Sequence, residues 1–359
     1  MKKFTWLFAL LIASVCTASA ETSAEVEETQ ATTEKATVEV PAWVKNIKFS
    51  GYGMLQYQGQ DPEGNHSNTF TLRLARFILD GKIGDFDWRA QIQGTNLKGP
   101  GEPTVQLVDL YAEWRKYPEF KIRAGQFKRA FTFENPTHPI TQGWRAYADV
   151  INNLSGFGDR TGEKSSGGRD IGIQVSGDIL PNASGRKLLH YQVGVYNGEG
   201  INTKDKDNRK DIIGGIWVMP IQGLRIGAFG WTGSRAGVGE KNRDALSAEY
   251  DKDEYTVRAE YLHSQGYGAN LDLGDKADGW YAFGIVPLIK GKLHAKARYQ
   301  CYRAAKEWGS AKTSYECGLN YKFTKSLELH AEYARINDKS MASDKHDYNM
   351  VTCELDFRF

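Results

Sequence analysis

The sequence of 359 residues lacks long hydrophobic segments. Its longest apolar run, Phe4 to Val15, has only twelve residues. Mean hydropathy is −0.53, which excludes a bundle of membrane-spanning helices but not a membrane β-barrel, because half of each barrel strand faces water. Proline is scarce, at 10 residues, and there is no Gly-X-Y period, so a collagen-like chain is excluded. The net charge of +2 gives no case for nucleic-acid binding.

Cysteine is also scarce, and charge is balanced. Of the four cysteines, Cys301, Cys317 and Cys353 fall on the apolar phase of predicted strands, where cysteine acts as a small hydrophobic residue. No Cys/His spacing typical of a metal site is present, and no cofactor is expected.

The N-terminus has the pattern of a secretory signal peptide. Lys2 and Lys3 form a basic start, the apolar run follows, and Ala18 to Ala20 supply a small-residue cleavage site. We therefore predict a signal peptide over residues 1–20, with an N-terminal anchor helix as the alternative. Residues 21–44 are acidic and Thr/Glu-rich, with six glutamates and one lysine before Val40, and are predicted to be disordered. A short coiled coil is the alternative for this segment.

From residue 45 to 359 the dominant period is two. Leu293, Ala295, Ala297, Tyr299 and Cys301 alternate with polar residues, and the C-terminal segment from Val351 to Phe359 alternates in the same way. Such alternation predicts strands with one apolar and one polar face. The segments run to about ten residues, which is the length of a membrane-spanning strand and exceeds the usual strand of a soluble sandwich.

The connections alternate in length, as they do in outer-membrane barrels. Short turns such as Gly84-Asp85 and Thr324 to Ser326 alternate with longer polar loops, of which Lys128 to Gly168 is the longest. We predict an all-β fold, a transmembrane antiparallel β-barrel of about sixteen strands. Fourteen or eighteen strands remain open, and the strands starting near residues 211 and 241 have the weakest patterns.

Several segments resemble the phosphate-selective porin O/P family of outer-membrane proteins. They are Leu107 to Trp114 (LVDLYAEW), Lys121 to Lys128 (KIRAGQFK) with Phe131 to Glu134 (FTFE), Gly168 to Gly172 (GRDIG), Tyr191 to Gly200 (YQVGVYNGEG) and Thr71 to Gly81 (TLRLARFILDG). The resemblance implies a sixteen-stranded homotrimeric barrel in outer-membrane lipid, narrowed by an inward-folded third loop, here Lys128 to Gly168.

The resemblance also implies pore residues. Arg73 matches a constriction arginine, Arg89 and Arg123 fall where the family has basic pore residues, and Asp109 matches an acidic partner. Two positions depart from the pattern, because Met54 and Leu74 stand where the selective members have arginines.

From the residues themselves, basic side chains on the polar phase are candidates for anion binding, since arginine forks fit phosphate or carboxylate oxygens. The predicted anion-binding or pore-lining set is Arg73, Arg89, Asp109, Arg123, Lys128, Lys296 and Arg298. Acidic residues prevail on the last three strands, so opposed basic and acidic walls are expected. For any one of these residues, a solvated charge on the inner wall is the alternative.

The expected function is passive diffusion of small, preferentially anionic solutes such as phosphate through a water-filled outer-membrane channel. A non-conducting barrel with an adhesive or structural role is the second hypothesis. Catalysis is not expected, because the HExxH and Gly-x-Ser-x-Gly patterns are absent. A barrel-borne hydrolase using His190 or His330 with a serine is the third hypothesis.

Overall fold

The computed structural model describes residues 46–95, 105–163, 167–268 and 275–359. The predicted signal peptide and acidic segment therefore lie outside the described residues. Among the described residues, no helix is long and apolar enough to cross a membrane. The only α-helix in these ranges is α1 (Asp149–Leu154), and 3-10 turns occur at Pro139–Thr141 and Trp308–Ser310.

The described ranges contain eighteen strands. They are β1 (Lys48–Gln60), β2 (Ser67–Ile83), β3 (Phe86–Thr95), β4 (Val105–Tyr117), β5 (Phe120–Lys128), β6 (Arg169–Pro181), β7 (Lys187–Tyr196), β8 (Asp211–Val218), β9 (Leu224–Thr232), β10 (Ser234–Arg235), β11 (Gly239–Glu240), β12 (Asn242–Lys252), β13 (Tyr255–Gln265), β14 (Lys276–Ile289), β15 (Leu293–Arg303), β16 (Ala311–Lys322), β17 (Leu327–Asp338) and β18 (Asp347–Arg358).

Sixteen of these strands form one closed antiparallel barrel, and β10 and β11 form a small separate ribbon. The barrel closes where β1 pairs with β18, with Tyr52 opposite Arg358 and Gln60 opposite Met350. The predicted sixteen-stranded barrel is confirmed. The two strands with the weakest sequence patterns are present as β8 and β12.

The period of two separates an outer and an inner face. On β18, Val351 and Phe357 are 41% and 45% exposed, whereas Thr352 and Glu354 between them are each 1% exposed. The outward residues are apolar on successive strands, and the inward residues are largely polar or charged. This is the arrangement of a barrel with an apolar outer belt and a polar lumen.

The described residues of the longest connection, 129–163 and 167–168, fold into the barrel, which confirms the predicted inward third loop. Its aromatic side chains pack edge-to-face on the inner wall: Phe131 lies 5.4 Å from Trp231, and Phe133 lies 5.4 Å from Phe229, between ring centroids. The helix α1 buries Val150, Ile151 and Leu154 in the same apolar cluster. The loop therefore has its own hydrophobic core against β8, β9 and β12–β15.

Candidate functional site

A cavity of about 110 Å³ lies inside the barrel between the start of the long loop and strands β3–β7. Four of the predicted site residues line it: Arg89, Asp109, Arg123 and Lys128. The other lining residues are Tyr111, Phe127, Arg129, Ala130, Pro136, His138, Arg169, Gln174 and Gln192. We call the inner faces of β3–β7 around this cavity the open wall.

Arg89 joins the open wall to the loop. Its guanidinium donates to both carboxylate oxygens of Asp80, at 2.7 and 3.0 Å, and lies 3.2 Å from Nε2 of His138. Because arginine can only donate, Nε2 of His138 accepts and the ring proton lies on Nδ1. Burial, helped by the nearby cations Lys128 and Arg76, lowers the pKa of His138 to about 3, so the ring is neutral.

Arg123 is a second partly exposed arginine that lines the cavity. Its Nε donates to Glu113 at 2.6 Å, and its guanidinium lies 4.6 Å from the ring centroid of Tyr111. The side chain is 30% exposed, compared with 24% for Arg89. Because Nη2 also lies 2.5 Å from Glu113, the Nη1 group is the part of the guanidinium that remains for a solute.

Asp109 and Lys128 are engaged within the protein. Arg169 donates to Asp109 through Nε at 2.7 Å and Nη2 at 3.0 Å, and both side chains are almost fully buried. The ammonium of Lys128 donates to the carbonyl oxygens of Asn135 and Thr137, at 2.5 and 3.0 Å. These contacts hold the first turn of the loop against the barrel.

Lys296 and Arg298 lie elsewhere, under the loop on β15. Lys296 donates to Glu332 at 2.5 Å and Arg298 to Glu316 at 2.7 Å, and both basic side chains are 0% exposed. Lys296 also donates to the loop carbonyl oxygen of Gly143 and Arg298 to that of Ala146, and both cations lie within 5 Å of the ring centroid of Trp144. We call the inner faces of β12–β17 beneath the loop the covered wall. A direct part for Lys296 or Arg298 in anion binding stays a prediction.

Arg73 lies outside the cavity, at a bulge of β2 where the register with β1 shifts. Its guanidinium donates to Glu354 at 2.8 Å. Met54, one of the two departures from the family pattern, is buried in a small cluster with Tyr52, Ile78 and the loop residue Ile140. Leu74, the other departure, packs against this cluster. Here the apolar side chains anchor the loop.

A buried pair of acids lies where the loop meets β13. The carboxylate of Glu260 accepts the backbone N–H groups of Phe133 and Glu134, at 2.5 and 3.2 Å. Burial is the main cause that raises the pKa of Glu134 to about 7, and the neighbouring Glu260 adds to it, against Arg258 and Arg298. Glu134 is therefore a group whose charge changes near neutral pH.

The sequence analysis did not select Tyr111, His138, Gln174 or Gln192. Gln174 lies directly opposite Arg123 in the pairing of β5 with β6, so the shared polar phase could have identified it. His138 carried no such signal, because it lies in an irregular loop. Within the described residues, no group of three or more His, Cys, Asp or Glu side chains is placed to hold a metal ion.

No protein-family model matches this sequence, and a comparison with curated proteins finds no significant match. Solved structures do match. The anion-selective porin from Comamonas acidovorans has a TM-score of 0.65 at 12% identity, covering 87% of this chain and 99% of that chain. Salmonella typhi OmpF in complex with daunomycin has the same TM-score and identity, with 88% and 98% covered. The outer-membrane channel DcaP of Acinetobacter baumannii has a TM-score of 0.58 at 11% identity, with 87% and 97% covered.

These similarities show that the chain has the fold of the porins. The narrower resemblance to the phosphate-selective O/P family stays a prediction.

Proposed function

We propose that this protein is an outer-membrane channel for passive diffusion of small solutes, with a preference for anions. The observation that carries the proposal is the pair of partly exposed guanidinium groups, Arg89 and Arg123, on the open wall of a sixteen-stranded barrel. A barrel of sixteen strands is wide enough for an aqueous channel, and arginine-lined constrictions favour anions. The fold shared with an anion-selective porin is consistent with this function.

Phosphate is the anion we propose to test first, because its oxygens fit the arginine fork two at a time. Each of the two arginines has a carboxylate beside it, which weakens anion binding. Weak binding suits transport, because a solute must also leave the site. We further propose that the barrel is a homotrimer in outer-membrane lipid and that cleavage after Ala20 precedes insertion. Sedimentation of the purified protein and N-terminal sequencing of the mature chain test these two points.

Conductance in planar lipid bilayers tests the channel function. Purified full-length protein should produce discrete current steps. In a potassium chloride gradient, the sign of the reversal potential should show that chloride is more permeant than potassium. Replacing chloride by phosphate then measures which anion is preferred. Barrels that insert but never conduct would contradict transport, and a reversal potential on the cation side would contradict the anion preference.

A non-conducting barrel is the second candidate, favoured by the dense packing of the loop. Phe131, Val150, Ile151 and Leu154 are 0% exposed, and Trp144 is 1% exposed. Replacing residues 133–160 by a short Gly/Ser linker distinguishes the two functions. A silent wild-type barrel that conducts only after this replacement would show that the loop is a plug. Conduction by both forms would support the channel.

A further inference from the structure

The rim of short turns has two sectors that differ in charge pairing. In the first sector, between β2 and β5, lysines are paired with aspartates: Lys82 lies 3.8 Å from Asp87, and Lys116 lies 3.9 Å from Asp85. In the second sector, the turns β14–β15 and β16–β17 carry four lysines. They are Lys290, Lys292, Lys322 and Lys325, and none of them forms an ion pair among the described residues. We call these four residues the lysine cluster.

The two turns of the lysine cluster lie side by side. The backbone N–H of Lys322 donates to the carbonyl oxygen of Lys292 at 2.8 Å. The neighbouring acid Glu254 is already engaged, because it accepts the N–H of Gly291 at 2.8 Å and lies 2.8 Å from Nε2 of His294. The positive charge of the cluster is therefore only partly compensated by the protein.

Exposed apolar side chains flank the same turns on the outside of the barrel. Leu288, Ile289 and Phe323 are each more than half exposed. Tyr321 packs on Phe323 with ring centroids 4.9 Å apart, and the ammonium of Lys292 lies 5.5 Å from the Tyr321 centroid. Aliphatic and aromatic surface next to ammonium groups suits the boundary between lipid chains and headgroups.

We propose that the lysine cluster binds the phosphate headgroups of anionic phospholipids, with the lipid chains on Leu288, Ile289 and Phe323. This inference rests on the membrane placement of the barrel proposed above. The occupant is a phospholipid because short turns face the periplasmic leaflet in such barrels, opposite the long loops. Four ammonium groups without an ion pair among the described residues supply the charge complementarity, at about a fivefold gain in affinity for each lysine near the headgroup.

Lipid retention by the purified full-length barrel tests this proposal. The protein in neutral detergent is titrated with phosphatidylglycerol or phosphatidylcholine, and bound lipids are counted by native mass spectrometry. The variant K290Q/K292Q/K322Q/K325Q should lose affinity for phosphatidylglycerol by up to several hundredfold, from the fivefold effect of each lysine. Raised salt should weaken phosphatidylglycerol binding to the wild-type protein, because exposed charges are screened.

The matched control removes four turn-side lysines that are paired. In K82Q/K116Q/K187Q/K252Q, each lost ammonium has a carboxylate within 4 Å, and binding should stay close to the wild-type level. Circular dichroism of all three proteins must show the same strand signal, so that folding failure is recognised. Because no current is measured, a failure of conduction would not affect this result.

Four outcomes would overturn the proposal. The first is equal binding of phosphatidylcholine and phosphatidylglycerol to the wild-type protein, and the second is an equal loss in the test and control variants. The third is displacement of phosphatidylglycerol by the same concentration of inorganic phosphate, which would show that the cluster takes the free ion. A changed oligomer size in the test variant, with lipid retention intact, would assign the surface to a second copy of the chain and count against the lipid.

Discussion

The open wall and the covered wall carry the same kinds of ion pair in different surroundings. On the open wall, Arg123 donates to Glu113 at 2.6 Å and remains 30% exposed. On the covered wall, Arg298 donates to Glu316 at 2.7 Å and is 0% exposed, because the loop lies over it. Both arginines lie on the inner phase of their strands, so strand alternation alone does not distinguish them. An arginine that the loop leaves exposed can contact a solute, whereas one that the loop buries stabilises the fold.

The largest effect should come from breaking the pairs of the covered wall. K296M/R298M leaves the buried carboxylates of Glu332 and Glu316 without their cations, which should cost about 3–5 kcal/mol for each broken pair. Denaturant unfolding of the barrel in detergent measures this loss. The matched change R123M on the open wall should cost at most about 1 kcal/mol, because that pair is partly solvated. Equal losses in the two variants would contradict the distinction between the walls.

The second prediction concerns pH. The pKa of Glu134 is raised to about 7 from an ordinary value of 4.5, so the folded state favours the protonated acid. Its contribution to stability is therefore lost as pH rises from about 4.5 to 7, by about 3 kcal/mol over that window. E134Q should remove this loss. Unfolding free energies measured at pH 5 and pH 7.5 test it, and an unchanged pH dependence would contradict the assignment.

His138 provides a control of opposite sign. Its pKa is lowered to about 3 from an ordinary 6.5, so its contribution is present above pH 6.5 and is lost as pH falls toward 3. H138N should therefore make the barrel less sensitive to acid, whereas E134Q should make it more sensitive. Variants that shift the pH profile in the same direction would show that the two side chains do not titrate independently.

The third prediction concerns selectivity. R89Q/R123Q removes two accessible cations and leaves the carboxylates of Asp80 and Glu113 in place. The reversal potential should therefore shift in the direction of cation selectivity. One unit charge at 4 Å changes the free energy of a monovalent ion by about 1 kcal/mol in water-like surroundings, or about fivefold in occupancy. R73Q serves as the comparison, because Arg73 pairs with Glu354 outside the cavity. A larger shift from R73Q than from the double variant would place the constriction at β2.

The fold was predictable because barrel strands carry their own signal. Alternation placed β12 near residue 241 and β15 at 293, and the structure begins these strands at Asn242 and Leu293. In a barrel strand, successive residues point alternately to the polar lumen and to the apolar outer surface. Neighbouring residues in the sequence therefore reveal both faces. The same pattern selected Arg89 and Arg123, which the structure brings to one cavity.

The covering of the inner wall was not predictable. The loop follows no period, and its contacts are made far along the chain: Gly143 accepts from Lys296, and Ile140 packs on Met54. Nothing in the local pattern of β15 indicates that Lys296 is buried, since an exposed lumen lysine would have the same neighbours in sequence. Lys296 and Arg89 both occupy inward positions. Only long-range packing makes Lys296 buried and Arg89 partly exposed.

The smallest expected effect isolates how Arg123 is presented to the lumen. Tyr111 lies under the guanidinium at 4.6 Å, and such a contact contributes about 0.5–1 kcal/mol at a partly exposed site. Arg123 already pairs with Glu113, so Y111L should leave that pair in place but remove the ring that supports the guanidinium. Arg123 should then be held less firmly in the cavity and bind anions more weakly, which makes the channel slightly less anion-selective. Y111F keeps the ring and should retain the wild-type value. If Y111F shifts the reversal potential as far as Y111L does, the hydroxyl of Tyr111 rather than its ring supports Arg123, and the absence of a shift in both variants would contradict the prediction.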